Sequence, residues 1–192
     1  MIFNQSYLAI SFKDNKKAKE KNLILSHGDF HAKNLLISST NRPTIIDTGG
    51  FCYDYWCSDI SRLIVHLFIE GIDNGTYDFF DIDKQIERIK TVKKIIEGDE
   101  IEVESDALGN NGFINAINWL RENAISIHTT DFYTDWELQL NLGLEFLKAS
   151  YKTITLPPGK RVLALLSACE AFRIAEKSLR ELAEQNSKIN ET

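Results

Sequence analysis

The segment LSHGDFHAKNLLISSTNRPTIIDTGGF, residues 25–51, decides the fold class. It holds two short apolar runs, NLLIS at Asn34–Ser38 and PTIIDT at Pro43–Thr48, with the turn-forming residues STNR between them. Apolar runs of this length that flank a polar turn are typical of a β-hairpin. The segment therefore predicts a small hairpin, and polar residues mark both of its ends.

Three of those polar residues have the chemistry that phosphoryl transfer requires. Asp29 lies in the turn before the first strand, Asn34 at the start of that strand, and Asp47 at the end of the second. Such a reaction needs a carboxylate to orient and deprotonate the acceptor hydroxyl, and hard oxygen ligands for Mg²⁺. A hairpin would bring Asn34 and Asp47 to one edge and leave Asp29 apart as the base. Singly, each residue could instead cap a turn or a helix.

A helical period begins after the hairpin. Apolar residues recur every three or four positions and predict an amphipathic helix that ends at Gly71. Further helical patterns cover about 79–96, 113–124, 136–152 and 160–185, and the acidic segment 97–112 is typical of an exposed loop. The residues expected on the buried faces of these helices are Trp56, Ile60, Leu63, Ile64, Leu67, Phe68, Ile82, Ile86, Ile89, Ile96, Trp119 and Trp136.

These patterns predict an α+β fold that is predominantly α-helical. A hairpin region at 23–54 and a helical body at 55–186 would form a single domain. Residues 1–22 end in a lysine-rich run, for which a solvated connector is favoured over a basic arm that binds phosphate or nucleic acid. Residues 187–192 are expected to form a frayed tail.

Composition narrows the function classes. The chain has 192 residues, 43% of them hydrophobic, and a net charge of −6, which argues against nonspecific binding to nucleic acid. Its apolar run LIVHLFI at Leu63–Ile69 is too short to cross a membrane, and the N-terminus lacks the pattern of a secretory signal. Three cysteines give no disulfide framework. We therefore expect a cytoplasmic protein with neither a nucleic acid nor a membrane as its partner.

The motif HGDFHAKNLLI…PTIIDTGG resembles the catalytic and metal-binding segments of the protein-kinase-like aminoglycoside and choline phosphotransferase superfamily. That pattern is HGDxxxxN, a strand, a turn, and an apolar run that ends in a metal-binding Asp. The resemblance implies that Asp29 is the catalytic residue and that Asn34 and Asp47 are the Mg²⁺ ligands. It further implies that His27 supports the loop and that Asp59, in YDYWCSDISRL, braces the loop from the head of the next helix.

The resemblance implies a protein-kinase-like C-terminal lobe that transfers the terminal phosphate of ATP (or GTP) to a hydroxyl group. The acceptor would be a small molecule or a partner protein, and Mg²⁺ would be the cofactor. The later segments NWLRENA and KRVLALLSACEAFRIAE also resemble the helical half of a bacterial branch called the ternary complex associated domain. One departure is Thr48, followed by two glycines where relatives carry an aromatic or aliphatic residue before one glycine.

The lobe that covers the nucleotide in that superfamily is missing from the sequence. Only 26 residues precede His27, and Gly28 is the first glycine of the chain, so no glycine-rich phosphate loop lies ahead of the motif. Three explanations stay open: truncation, a second chain that supplies the N-terminal lobe, or loss of activity. The alternative function is accordingly a non-catalytic, kinase-like binding or scaffold module.

Several side chains near the motif allow two interpretations. His31 could contact the nucleotide or the acceptor, or it could be a loop histidine that is bonded to the backbone. Cys52 and Cys57 could belong to a zinc site, but buried structural thiols are favoured. The aromatic residues of Phe51–Trp56 could stack on a substrate, although packing beneath the loop is favoured. The acidic segment 97–106 could attract a cationic acceptor, and a solvated loop is the default.

Two histidines lie outside the motif. His66 falls within an apolar helical pattern and is expected in the core or at its boundary. His128 has no identifiable partner in the sequence.

Overall fold

The computed structural model describes residues 23–71, 82–101, 111–127 and 135–189. Within these ranges the chain is mixed α+β and mostly helical, with two small antiparallel sheets and five α-helices. The predicted connector at 1–22 and His128 lie outside the described residues. The strands are β1 (Leu23–Ser26), β2 (Leu35–Ile37), β3 (Pro43–Ile45) and β4 (Cys52–Tyr55), and the helices are α1 (Ser58–His66), α2 (Ile82–Glu97), α3 (Asn111–Ile127), α4 (Asp135–Ser150) and α5 (Pro158–Ile189).

The four strands form two nested antiparallel pairs. The predicted hairpin is the inner pair, in which β2 pairs with β3 and Leu35 lies opposite Ile45. The prediction of a single hairpin was incomplete, because β1 and β4 also pair, with Ser26 opposite Cys52. The whole inner hairpin lies between these two four-residue strands, so no short turn sequence predicts that they pair. Their pairing brings the loop before β2 alongside the loop after β3.

Helix α1 carries the apolar face that the sequence predicts. All six predicted residues from Trp56 to Phe68 are buried, and the helix continues through a π-helical turn at Leu67–Gly71. The Phe68 ring meets the Phe146 ring of α4 edge-on, with centroids 6.3 Å apart. The indole N–H of Trp56 donates to a Glu137 carboxylate oxygen at 2.8 Å. Helix α1 and the end of β4 are therefore both anchored on α4.

Helices α4 and α5 pack closely through small residues. A methyl group on Gly143 of α4 would lie 2.6 Å from a ring carbon of Phe172, so only glycine permits this approach. Helix α5 presents Ala164, Ala168 and Ala171 as fully or nearly fully buried side chains. It begins at Pro158, which suits the first helical position because proline has no N–H to leave unpaired. This close packing of α4 on α5 forms the helical base of the molecule.

Some predicted side-chain positions were wrong. Ile86 is 50% exposed and Trp119 is 61% exposed, because helical periodicity identifies an apolar face but not the length over which a neighbour covers it. On α2 the buried residues are Val92, Ile95 and Ile96, in its C-terminal half. Trp136 is only half-buried, and the side chain of Ile82 is outside the described residues.

The chain segments at 97–112 and 187–192 also differ from expectation in part. Helix α5 runs to Ile189, so the start of the predicted tail is helical. Gly98, with a φ of +83°, ends α2 in the left-handed conformation that glycine favours. The buried Ile101 follows, and its backbone exchanges hydrogen bonds with the Asn118 amide on α3. Residues 102–110 and 190–192 lie outside the described residues. Across the part that is described, no helix has the length and apolar character needed to span a membrane.

Candidate functional site

Two loops meet between the nested strand pairs, and two glycines allow them to touch. Gly28 has a φ of +80°, and a Cβ there would lie 2.2 Å from the Gly50 carbonyl oxygen. A Cβ on Gly50 would lie 3.0 Å from the His27 carbonyl oxygen, whereas Gly49 faces open space. The second glycine after Thr48 is therefore the one that the contact requires. The contact accounts for Gly50 of the glycine pair that follows Thr48, and not for Gly49.

His27 links the two loops through both ring nitrogens. Its buried ring lies 2.9 Å, through Nε2, from the Ile46 carbonyl oxygen. The Asp29 backbone N–H donates to Nδ1 at 3.4 Å. Because a carbonyl oxygen only accepts, the ring must carry its proton on Nε2. His27 therefore links the Asp29 backbone to the end of β3, and its support of a catalytic loop stays a prediction.

Asp59 bonds to the same loop from the start of helix α1. It lies in the first turn of α1, and its Oδ2 accepts the His27 backbone N–H at 2.6 Å. Its Oδ1 accepts the Gly28 backbone N–H at 3.2 Å. One carboxylate thus accepts hydrogen bonds from two consecutive backbone N–H groups, in a tight turn where Gly28 has a left-handed conformation. Asp59 thus contacts the loop that contains Asp29, and its role as the brace of a catalytic loop stays a prediction.

Asn34 and Asp47 lie at the same end of the inner hairpin. The Asn34 side-chain amide donates to the Asp29 carbonyl oxygen at 2.9 Å. The Ile46 backbone N–H donates to the Asn34 carbonyl oxygen at 3.0 Å, which places Asp47 one residue beyond this contact. Asp47 is exposed and has a φ of +57°, a conformation that Asp adopts more readily than most residues.

The donor chemistry of this pair fits a magnesium ion. Because Asn34 donates through Nδ2, its Oδ1 would be left to act as one oxygen ligand, and the Asp47 carboxylate, at the same end of the hairpin, would be a second. Mg²⁺ prefers hard oxygen ligands and is commonly bound by one or two protein groups together with substrate phosphates and water. Within the described ranges, no group of three or more His, Cys, Asp or Glu side chains is placed to hold a metal ion. Asn34 and Asp47 would supply two of the ligands.

The Asp29 carboxylate is open to solvent and has two charged or polar neighbours. Its side chain is 58% exposed, with Oδ1 3.6 Å from the Arg62 guanidinium and Oδ2 3.5 Å from His31 Nε2. His31 Nδ1 is buried and has no hydrogen-bond partner among the described residues, so the backbone-bonded interpretation of His31 finds no support there. The other interpretation, a contact with the nucleotide or the acceptor, stays a prediction.

Arg62 and Glu145 were missed by the reading of the sequence. Arg62 Nη1 donates to the Gly28 carbonyl oxygen, and Nε and Nη2 donate to the two Glu145 oxygens at 3.2 and 3.3 Å. Burial lowers the pKa of Arg62, but the hydrogen bonds and charge of Glu145 outweigh it and leave the pKa raised. Arg62 could have been found three residues after Asp59, as the only Lys or Arg between Arg42 and Lys84. Glu145 has no such local signal.

A cluster of ionisable residues lies on the far side of His31. The His31 and His66 rings stack with centroids 5.1 Å apart. Glu70 accepts hydrogen bonds from the Lys33 ammonium at 2.7 Å and the Lys152 ammonium at 3.2 Å. Burial raises the pKa of Glu70, but the two lysines and His66 overcome it and lower the pKa to about 2. Glu70 therefore stays ionised at neutral pH, and His66 is a boundary residue, as expected.

The cysteines and aromatic residues follow the predictions only in part. Cys57 is fully buried, and burial followed by the charge of Glu137 raises the pKa of its thiol, as suits a structural cysteine. Cys52 is exposed, so its assignment as a buried thiol was wrong. Trp56 packs in the core, whereas Tyr53 is 76% exposed. Alternate residues of a strand point to opposite faces, and one face of the β1–β4 pair is not covered by described residues.

Comparison of this chain with protein-family models, with curated proteins and with solved structures finds no match.

Proposed function

We propose that this chain is a kinase-like phosphotransferase lobe that transfers the terminal phosphate of ATP (or GTP) to a hydroxyl acceptor. One observation carries the proposal. The nested strand pairs bring a solvent-open carboxylate, Asp29, into the same small region as an amide–carboxylate pair, Asn34 and Asp47. The bonds of His27 and Asp59 to this loop support the proposal, because a reaction that depends on positioning needs a rigid loop.

The proposed reaction assigns one role to each of these residues. Asp29 accepts the proton of the acceptor hydroxyl while the acceptor oxygen forms a bond to the terminal phosphorus. The bond from that phosphorus to the bridging oxygen breaks, and its electron pair leaves with the nucleoside diphosphate. Mg²⁺, held by Asn34 and Asp47, would offset the charge that develops on the phosphates. General-base assistance of this kind contributes about 10²–10⁴-fold to a rate.

Arg62 has a positioning role in this proposal. It donates to the Gly28 carbonyl oxygen and lies 3.6 Å from the Asp29 carboxylate, while Glu145 holds the rest of its guanidinium. The loop is therefore held by two side chains of helix α1, Asp59 and Arg62. Both sets of contacts fix the backbone at His27 and Gly28, just before Asp29, and leave the Asp29 carboxylate accessible.

Isothermal titration calorimetry with ATP and Mg²⁺ tests the metal assignment. We expect the wild-type chain to bind and Asp47→Ala to lose binding, while Asp99→Ala, which removes an exposed carboxylate after α2, binds as the wild type does. GTP in a parallel titration compares the two donors. Equal binding by wild type and Asp47→Ala would refute the metal assignment. Absence of binding by all three would refute nucleotide binding by this chain alone and favour the alternative below.

The alternative is a non-catalytic binding or scaffold module, and one observation favours it. Nine large apolar side chains on the strands and their loops are exposed, and exposed apolar surface is common at interaction sites. A partner protein that covers some of these side chains could equally be the second chain that completes the nucleotide site. Asp29→Asn separates the two, because it would abolish phosphate transfer by a completed enzyme and leave a scaffold unaffected. The nine residues are Leu23, Leu25, Leu36, Ile37, Ile45, Ile46, Phe51, Tyr53 and Tyr55.

A further inference from the structure

A cleft next to Asp29 is separate from the metal-ligand pair. It consists of two adjoining cavities of about 420 and 370 Å³. Both cavities are lined by His31, His66, Glu70 and Lys152. The second cavity is also lined by Asp29, and neither is lined by Asn34 or Asp47. Volumes of this size suit a small molecule. A molecule in the cleft can therefore reach the Asp29 carboxylate without displacing either proposed metal ligand.

The charge of the cleft differs in sign from that of the whole chain. Four cationic side chains and three carboxylates line the two cavities, although the chain as a whole carries a net charge of −6. Two of the carboxylates are already paired with these cations, since Glu145 binds Arg62 and Lys148, and Glu70 binds the other two lysines. The cations are Lys33, Arg62, Lys148 and Lys152, and the carboxylates are Asp29, Glu70 and Glu145.

The lysines keep donors for a ligand after these pairings. Lys33 and Lys152 are 70% and 46% exposed, and each forms one hydrogen bond to Glu70. An ammonium group has three N–H donors, so two on each lysine remain for other acceptors. The lysines flank one carboxylate, and their free donors can converge on a second anion beside it. Such an anion would replace water around the two ammonium groups.

The histidine pair adds polar atoms without partners. Nδ1 of His31 and both ring nitrogens of His66 are buried and make no hydrogen bond to any residue that the structure describes, although His66 Nε2 lies 3.3 Å from a Glu70 carboxylate oxygen. Burial lowers the pKa of His66, the charge of Glu70 opposes this, and the charges of His31, Lys33 and Lys152 lower the pKa further. A neutral imidazole offers both a donor and an acceptor. Buried polar atoms without partners are expected where a ligand or ordered water binds.

We infer that the cleft is the acceptor site and that it takes an alcohol bearing an anionic group, either a phosphate or a carboxylate. The anionic group would bind the ammonium groups of Lys33 and Lys152, and the hydroxyl would face Asp29. This inference rests on the proposed function. It departs from the cationic acceptor that the acidic segment suggested, because none of the described residues of that segment lines the cleft.

The test uses the full chain and three probes: inorganic phosphate, glycerol 3-phosphate and glycerol. We expect calorimetry or NMR titration to show saturable binding of the two anions in the millimolar range and no binding of uncharged glycerol. Lys152→Gln should weaken anion binding about tenfold, because it removes one charge-assisted contact. The matched control Lys177→Gln removes an exposed lysine that is paired with a carboxylate on α5, and it should leave binding unchanged.

Nucleotide phosphates are a second source of the same anionic chemistry, so a further titration distinguishes them. If glycerol 3-phosphate binds equally well with and without saturating ADP and Mg²⁺, the anion belongs to the acceptor. Competition between them would assign the cleft to the nucleotide and overturn this inference, while the proposed transfer reaction would stand. Absence of anion binding, or equal binding by Lys152→Gln, would also overturn it. Failure of the proposed function is seen separately, in the Asp47→Ala titration with ATP.

Discussion

Replacement of Asp59 by alanine should destabilise the fold through the loss of two hydrogen bonds at one turn. The 2.6 Å bond to the buried His27 backbone is charge-assisted, and its loss costs about 1.5–3 kcal/mol. The longer bond to Gly28, at 3.2 Å, adds about 1 kcal/mol. Loss of a negative charge from the first turn of α1 adds about 0.5 kcal/mol. Asp59→Ala should therefore lower the free energy of unfolding by about 3–4.5 kcal/mol.

Urea unfolding followed by far-UV circular dichroism measures this change. The midpoint should fall while the slope of free energy against urea stays the same, since the surface exposed on unfolding does not change. Asp83→Ala is the matched control, because Asp83 is an exposed acid in the first turn of α2. It removes the same charge from a helix start without affecting a loop, and its effect should be about 0.5 kcal/mol. If the two variants were equally stable, Asp59 would not brace the loop.

Three further predictions concern the loop, the ionisable cluster and the thiols. Gly28→Ala should destabilise the protein by more than about 3 kcal/mol in urea unfolding, because its Cβ would overlap the loop after β3. A Cβ on Gly49 meets nothing within 4 Å, so Gly49→Ala should change stability by less than about 1 kcal/mol, and equal effects of the two changes would contradict the close approach of the loops. The wild type should have a higher free energy of unfolding than Glu70→Gln above pH 4.5, and this difference should shrink as the pH falls toward about 2. The reason is that folding lowers the pKa of Glu70, so its protonation favours the unfolded state; a difference that grows on acidification would refute this. In the native protein a thiol reagent should modify Cys52 and leave the buried Cys57 unmodified until the chain unfolds. Peptide mass mapping measures both reactions, and equal rates of modification of the two thiols would contradict the burial of Cys57.

Local patterns in the sequence predicted the inner hairpin and helix α1 correctly. The hairpin needs only two apolar runs and a turn, and both the turn and the pairing of β2 with β3 lie within 11 residues, from Leu35 to Ile45. The buried face of α1 follows from one repeat, because residues three and four apart share a side of a helix. Ile86 and Trp119 show where this reasoning ends: their patterns are helical, but no described neighbour covers them fully.

The types of side chain at the candidate site and their order around one hairpin follow from the amino-acid sequence. They do so because turn residues, apolar alternation and helical period act between neighbours in the chain. Three pairings depend instead on the folded chain: β1 with β4, Arg62 with Glu145 across 83 positions, and Lys152 with Glu70 across 82. Such contacts depend on how α1 and α4 pack together, and that packing is set by the whole core. The loop around Asp29 and the cationic cleft beside it are therefore properties of the folded chain.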